Sequence, residues 1–112
     1  MLLFRGFLLC FLVALLAYTT VTISREGWTL MPVFFGDMAK MAWPGQFNTD
    51  FSGFLLLSGL WTAWRDRFSA RGLALGLVAV FGGMLFLTIF LLVVTARAKG
   101  DMTRVLLGAR RI

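Results

Sequence analysis

The sequence predicts an all-α membrane protein: three transmembrane helices, an interfacial segment between the first two, and an amphipathic helix at the C-terminus. Three observations predict it. Of 112 residues, 60% are hydrophobic and 14% charged, against about 45–50% and about 25% in soluble domains. The mean hydropathy is +0.88. Apolar runs close to the length that crosses a hydrocarbon core alternate with short charged segments. A chain of this size has room for one bundle, so residues 1–112 form a single membrane domain.

The first span covers about 7–23. Arg5 ahead of an apolar core also resembles a secretory signal. Tyr18-Thr19-Thr20-Val21-Thr22 offers no small-x-small cleavage site, so a retained anchor is expected. Gly6, Cys10, Ala14 and Ala17 place small residues on one face, where a second helix can approach closely.

Residues 24–43 mix apolar side chains (Trp28, Leu30, Met31, Val33, Phe34, Phe35) with Arg25, Glu26, Asp37 and Lys40, which oppose crossing. Pro32 and Gly36 argue against one uninterrupted helix. The segment reads as interfacial, with Trp28 and Trp43 at headgroup level. A re-entrant loop is the alternative.

The second span, about 44–64, opens on Pro44, which is well tolerated in a first helical turn. Residues 65–71 make a tight polar connection. The third span, about 72–96, contains no charge. Its Gly72, Gly76, Ala79 and Gly83 share one face and form a packing stripe. Gly82-Gly83 predicts a bend. In the tail, 97–112, Met102, Val105, Leu106, Ala109 and Ile112 recur at helical spacing, which suits a helix lying along the headgroups. A frayed basic tail is the alternative.

With three spans, Arg5 shares a side with Arg65, Arg67 and Arg71. Arg25, Lys40, Arg97, Lys99, Arg104, Arg110 and Arg111 share the other. Counting cations therefore favours a cytoplasmic C-terminus, while the weight of the first helix favours the reverse.

The chain has no histidine and a single cysteine, Cys10. That excludes a His/Cys zinc site, a histidine-based triad and an intramolecular disulfide, and no metal or cofactor is expected. The net charge of +6 sits just outside apolar runs, where cations anchor spans and meet anionic headgroups. The lipid bilayer is the expected partner, with other membrane proteins or a second copy beside it. Nucleic acid is not. A multi-pass protein of the cell inner membrane is the localisation these features suggest.

Asp50 is the anomaly, because a carboxylate near membrane depth usually faces a partner or a cavity. Asp50, Phe54, Leu57, Trp61 and Trp64 follow at helical spacing. With Asn48 and Trp43, they outline a candidate ligand or proton site: an acid at one end of an aromatic wall able to stabilise a cation. The plainer reading is structural. Asp50 lies near a helix start, where it reaches headgroup water and complements the positive terminus. Trp61 and Trp64 can likewise be an interfacial belt.

Trp43, Asp50-Phe51 and Trp61-x-Ala63-Trp64-Arg65, followed by a glycine-rich span and Leu106-Leu107-Gly108, carry a resemblance. The pattern is similar to that of a family of small three-span membrane proteins whose domain has no known function. It covers about residues 40–108, and Trp64 stands where the family has tyrosine. The resemblance implies three spans and marks Trp43, Asp50, Phe51, Trp61 and Arg65, without implying an activity. The leading expectation is a non-enzymatic subunit, scaffold or assembly factor of a membrane complex. The alternative is binding, transport or isoprenoid-like lipid chemistry around Asp50, and a third reading is lipid sensing through the basic tail.

Overall fold

A computed structural model describes residues 2–108. They form five helices: α1 (Leu2–Glu26), α2 (Leu30–Ala39), α3 (Trp43–Arg65), α4 (Ala70–Arg97) and α5 (Met102–Leu107). There is no strand among the described residues. The all-helical class follows from the sequence, and α1 and α4 have the length and apolar composition to cross a membrane, α4 only when counted end to end. Ala109 to Ile112, including two of the five apolar positions of the expected tail helix, lie outside the described residues.

The core of the fold is the α3–α4 pair. Gly59 and Gly76 face each other so closely that a Cβ on Gly76 would stand 2.7 Å from the Gly59 carbonyl oxygen, and one on Gly59 2.8 Å from that of Gly76. Backbone-to-backbone approach of this kind is how apolar helices gain dispersion energy without a hydrophobic force between them. Gly72, Gly76 and Ala79 are buried in this seam. The stripe expected from sequence is thus used within the chain, against α3.

The turn between the two helices is closed by two kinds of bond. The Phe68 and Arg67 amides donate back to the carbonyls of Ala63 (2.8 Å) and Trp64 (2.9 Å), the paired bonds that satisfy a helix end when the following residue turns left-handed. Here that residue is Arg67, at φ 57°. Ser69 then caps α4 by accepting from the Gly72 amide at 3.0 Å, and its hydroxyl donates to Asp66 Oδ2 at 2.6 Å.

The expected bend in the third span is a reversal. Gly83, at φ 56° and ψ −140°, breaks α4 into two arms, residues 70–82 and 84–97. At the break, a Cβ on Gly83 would lie within 3.5 Å of Phe51 and Leu55 of α3. Phe90, seven residues on, meets the Trp61 ring at 5.9 Å and lies under the Arg65 guanidinium at 5.5 Å. A straight helix would instead have carried Phe90 about 10 Å further toward the Trp43 end of α3. The second arm therefore returns, and both ends of α4 lie beside the C-terminus of α3. Each arm is about 20 Å long, short of a hydrocarbon core of about 30 Å.

The reversal corrects the expected distribution of charge. Arg97 and Arg104 line the same cavity as Arg65 and Arg71, so they do not share an end with Arg25 and Lys40. Arg5 joins them, since its Nη1 donates to the Leu92 carbonyl at 2.7 Å and to the Thr95 hydroxyl. One end of the molecule thus gathers Arg5, Arg65, Arg71, Arg97 and Arg104, with Arg67 and Lys99 in the adjoining turns.

At the other end, α2 packs on the start of α3. A Cβ on Gly45 would collide with the Asp37 carbonyl oxygen, and the Asn48 amide donates to the Phe34 carbonyl at 3.1 Å. Contrary to the expectation from Pro32 and Gly36, α2 is one uninterrupted helix over Leu30–Ala39. Pro32 sits in its first turn, where amides have no helical acceptor to lose.

Candidate functional site

The arginine-rich end holds the densest polar chemistry among the described residues. It is built around α5, six residues long and too short to be stable alone. What holds α5 is a pair of side chains on α3. Arg65 donates through Nε to the Val105 carbonyl at 2.7 Å and through Nη2 to that of Arg104 at 3.3 Å. Trp61 donates through its indole N–H to the Leu106 carbonyl at 2.9 Å. The Val105 and Leu106 carbonyls lie in the last helical turn, where carbonyls have no partner within the helix, and that of Arg104 also accepts the Gly108 amide at 2.8 Å. Arg65 also brings a positive charge to the negative end of the helix dipole.

Packing closes the same latch. Val105 is fully buried, and Gly108 follows at φ 79° with the Arg65 carbonyl oxygen 2.6 Å from where a Cβ would stand. Only glycine fits that contact. Trp61 and Arg65 at the end of one motif, and Leu106 and Gly108 at the end of the other, are thus brought together by the fold. Sequence spacing hints at neither contact, since both join carbonyl oxygens, which carry no sequence signature.

Below the latch lies a cavity of about 550 Å³ between α3, the two arms of α4 and the α4–α5 turn. Its polar rim is Arg65, Asp66, Arg71, Arg97 and Arg104, and its floor includes Leu75, Phe86, Phe90, Val93 and Val94. The aromatic part is ordered by stacking of Phe86 on Phe90 at 5.5 Å. Asp66 is buried and receives both Nε and Nη2 of Arg71 at 3.1 Å, one on each oxygen. This bidentate pairing orients Arg71. Arg104 makes only a 3.8 Å contact with Asp101, and Arg97 has no hydrogen bond or ion pair among the described residues.

The residues predicted from sequence as a ligand or proton site are not gathered in this cavity. Asp50 and Phe54 are exposed on α3, and Trp43 is 73% exposed. Asn48 is committed to α2 through the Phe34 carbonyl, and Trp61 to α5. Asp50, Phe54 and Leu57 form an open face, so a closed site there needs a second molecule to complete it. The face of α1 bearing Gly6, Cys10, Ala14 and Ala17 is exposed as well.

Comparison of the chain with protein-family models, with curated proteins and with solved structures found no match.

Proposed function

We propose that this chain is a non-enzymatic subunit or scaffold of a membrane complex that offers α1 to a partner membrane protein. In this reading α1 and α3 cross the bilayer, the two arms of α4 form a re-entrant hairpin, and the arginine-rich end faces the cytoplasm. The observation that carries it is the unequal use of two small-residue stripes. Gly72 and Gly76 are buried against α3 and Ala79 is buried on the same face, whereas a Cβ on Gly6 would meet nothing within 4 Å and Cys10, Ala14 and Ala17 stay exposed. Among the described residues, Leu8 is the sole buried member of α1. A helix this apolar, with its small-residue face unused, is suited to a second helix at close range.

The cytoplasmic assignment follows from cation counting. Arg5, Arg65, Arg67, Arg71, Arg97, Lys99 and Arg104 stand at one end, Arg25 and Lys40 at the other, and the cation-rich side remains in the cytoplasm. The exposed Asp50 face is a second surface for the same kind of partner.

The test is a photo-crosslinking residue at Ala14, activated in native membranes. The expected outcome is one discrete adduct, lost in Gly6→Leu and in Ala17→Leu, while both variants keep wild-type thermal unfolding. Adducts with lipid alone, or a protein adduct indifferent to both substitutions, would remove α1 as the interface.

A further inference from the structure

We propose that the arginine-rimmed cavity is a binding site for an anionic amphiphile that carries its net negative charge on a phosphate, with the phosphate at the rim and the hydrocarbon chain on the floor. Charge comes first. Four arginines line the cavity, and Asp66 is the single acid among its lining residues. Arg71 is neutralised by that acid, and Arg65 is held by the α5 carbonyls while keeping its charge. Arg97, and Arg104 held only by an exposed 3.8 Å contact with Asp101, remain as donors at the mouth, and an anion would balance them. Guanidinium groups match phosphate oxygens through paired N–H donors.

Shape and polarity select the rest of the ligand. Leu75, Phe90, Val93 and Val94 line the same cavity as the arginines, so a free inorganic anion would leave this apolar lining unfilled. A volume of about 550 Å³ is in the range of sites that enclose small ligands, typically about 300–1,000 Å³. It would take a headgroup and the first part of a chain, the remainder lying along the apolar arms of α4. The site is separate from the α1 face, so it stands or falls independently of the partner reading.

The experiment is native mass spectrometry of the detergent-purified protein, titrated with phosphatidylglycerol, phosphatidylcholine, or inorganic phosphate alone. Phosphatidylglycerol is expected to bind at least about fivefold more tightly than phosphatidylcholine, and Arg97→Gln and Arg104→Gln should each weaken it by about fivefold, the worth of one arginine near an anionic headgroup. Both side chains are exposed and hold no buried contact, so neither change threatens folding; an unchanged unfolding temperature confirms this. Arg25→Gln, at the opposite end, should have no effect. Equal retention of the two lipids, or indifference to both arginine substitutions, would overturn the proposal. Inorganic phosphate binding as tightly as the lipid would also overturn it, because the floor would then contribute nothing.

Discussion

Arg65 and Val105 stand forty positions apart, and the Arg65 Nε–H donates to the Val105 carbonyl at 2.7 Å. A charged donor thus finishes a helix of six residues. Without it, α5 has one side-chain bond left on its last turn, from Trp61.

Arg65→Ala should therefore release α5. Hydrogen bonds to a charged group are worth about 1.5–3 kcal/mol, so amide exchange over residues 102–107 should accelerate by about tenfold or more. Trp61→Phe keeps the ring against Phe90 but deletes one neutral bond, an effect of about 0.5–1.5 kcal/mol. Exchange measured by mass spectrometry in nanodiscs should rank the two in that order. Unchanged exchange in Arg65→Ala would mean that Val105 burial alone holds the helix.

The reversal at Gly83 makes a distance prediction. Residues 75 and 94 line one cavity, whereas along a straight helix they would be about 28 Å apart. Spin labels on Leu75→Cys and Val94→Cys, in a Cys10→Ser background, should report a separation well below that value. Gly83→Ala should cost about 1–3 kcal/mol, because its φ and ψ lie in a region nearly restricted to glycine, and should broaden the distance distribution. A sharp peak near the straight-helix value in the parent protein would refute the hairpin.

Much of the architecture was legible in the sequence. The termini of α1, α3 and α4 fall within a few residues of the expected runs, because long apolar stretches bounded by charged or turn residues favour helices of that length. The Gly72/Gly76/Ala79 stripe announced its own packing face. The sense of the Gly83 break was hidden, since glycine pairs mark a bend without giving its angle. That one dihedral moved Arg97 and Arg104 to the other end of the molecule. The latch was hidden for a different reason: Arg65 and Trp61 read as interfacial anchors, and nothing in residue types shows that their acceptors are backbone oxygens. Pro32 misled because its effect depends on how many residues precede it in a helix, and only two do.

Glycines of α3 and α4 should divide sharply by what surrounds them. Gly76→Ala would press a methyl group to 2.7 Å from the Gly59 carbonyl oxygen, forcing the helices apart at a cost of about 1–3 kcal/mol. Gly53 faces open space, with nothing within 4 Å of where a Cβ would stand. Gly53→Ala should therefore stabilise α3 by about 0.5–1 kcal/mol through helix propensity. Equilibrium unfolding in mixed micelles measures both. If Gly76→Ala proved neutral, the seam would be looser than the backbone approach indicates.

Membrane placement has the most consequences and the simplest test. If α4 crossed as one span, Arg67 and Lys99, in the turns flanking it, would lie on opposite sides of the bilayer. As a re-entrant hairpin it returns both to the same side, leaving Arg25 and Lys40 on the other. Arg67→Cys, Lys99→Cys, Arg25→Cys and Lys40→Cys, each in the Cys10→Ser background, place one thiol at an exposed position. A membrane-impermeant maleimide should label the first two in inside-out vesicles and the last two in right-side-out cells. In the proposed placement, the cation excess at the Arg67 end puts the first pair in the cytoplasm. Labelling of the Arg67→Cys and Lys99→Cys variants from opposite faces would restore a straight third span. It would also dissolve the cavity, since Arg71 and Arg97 would then face different compartments.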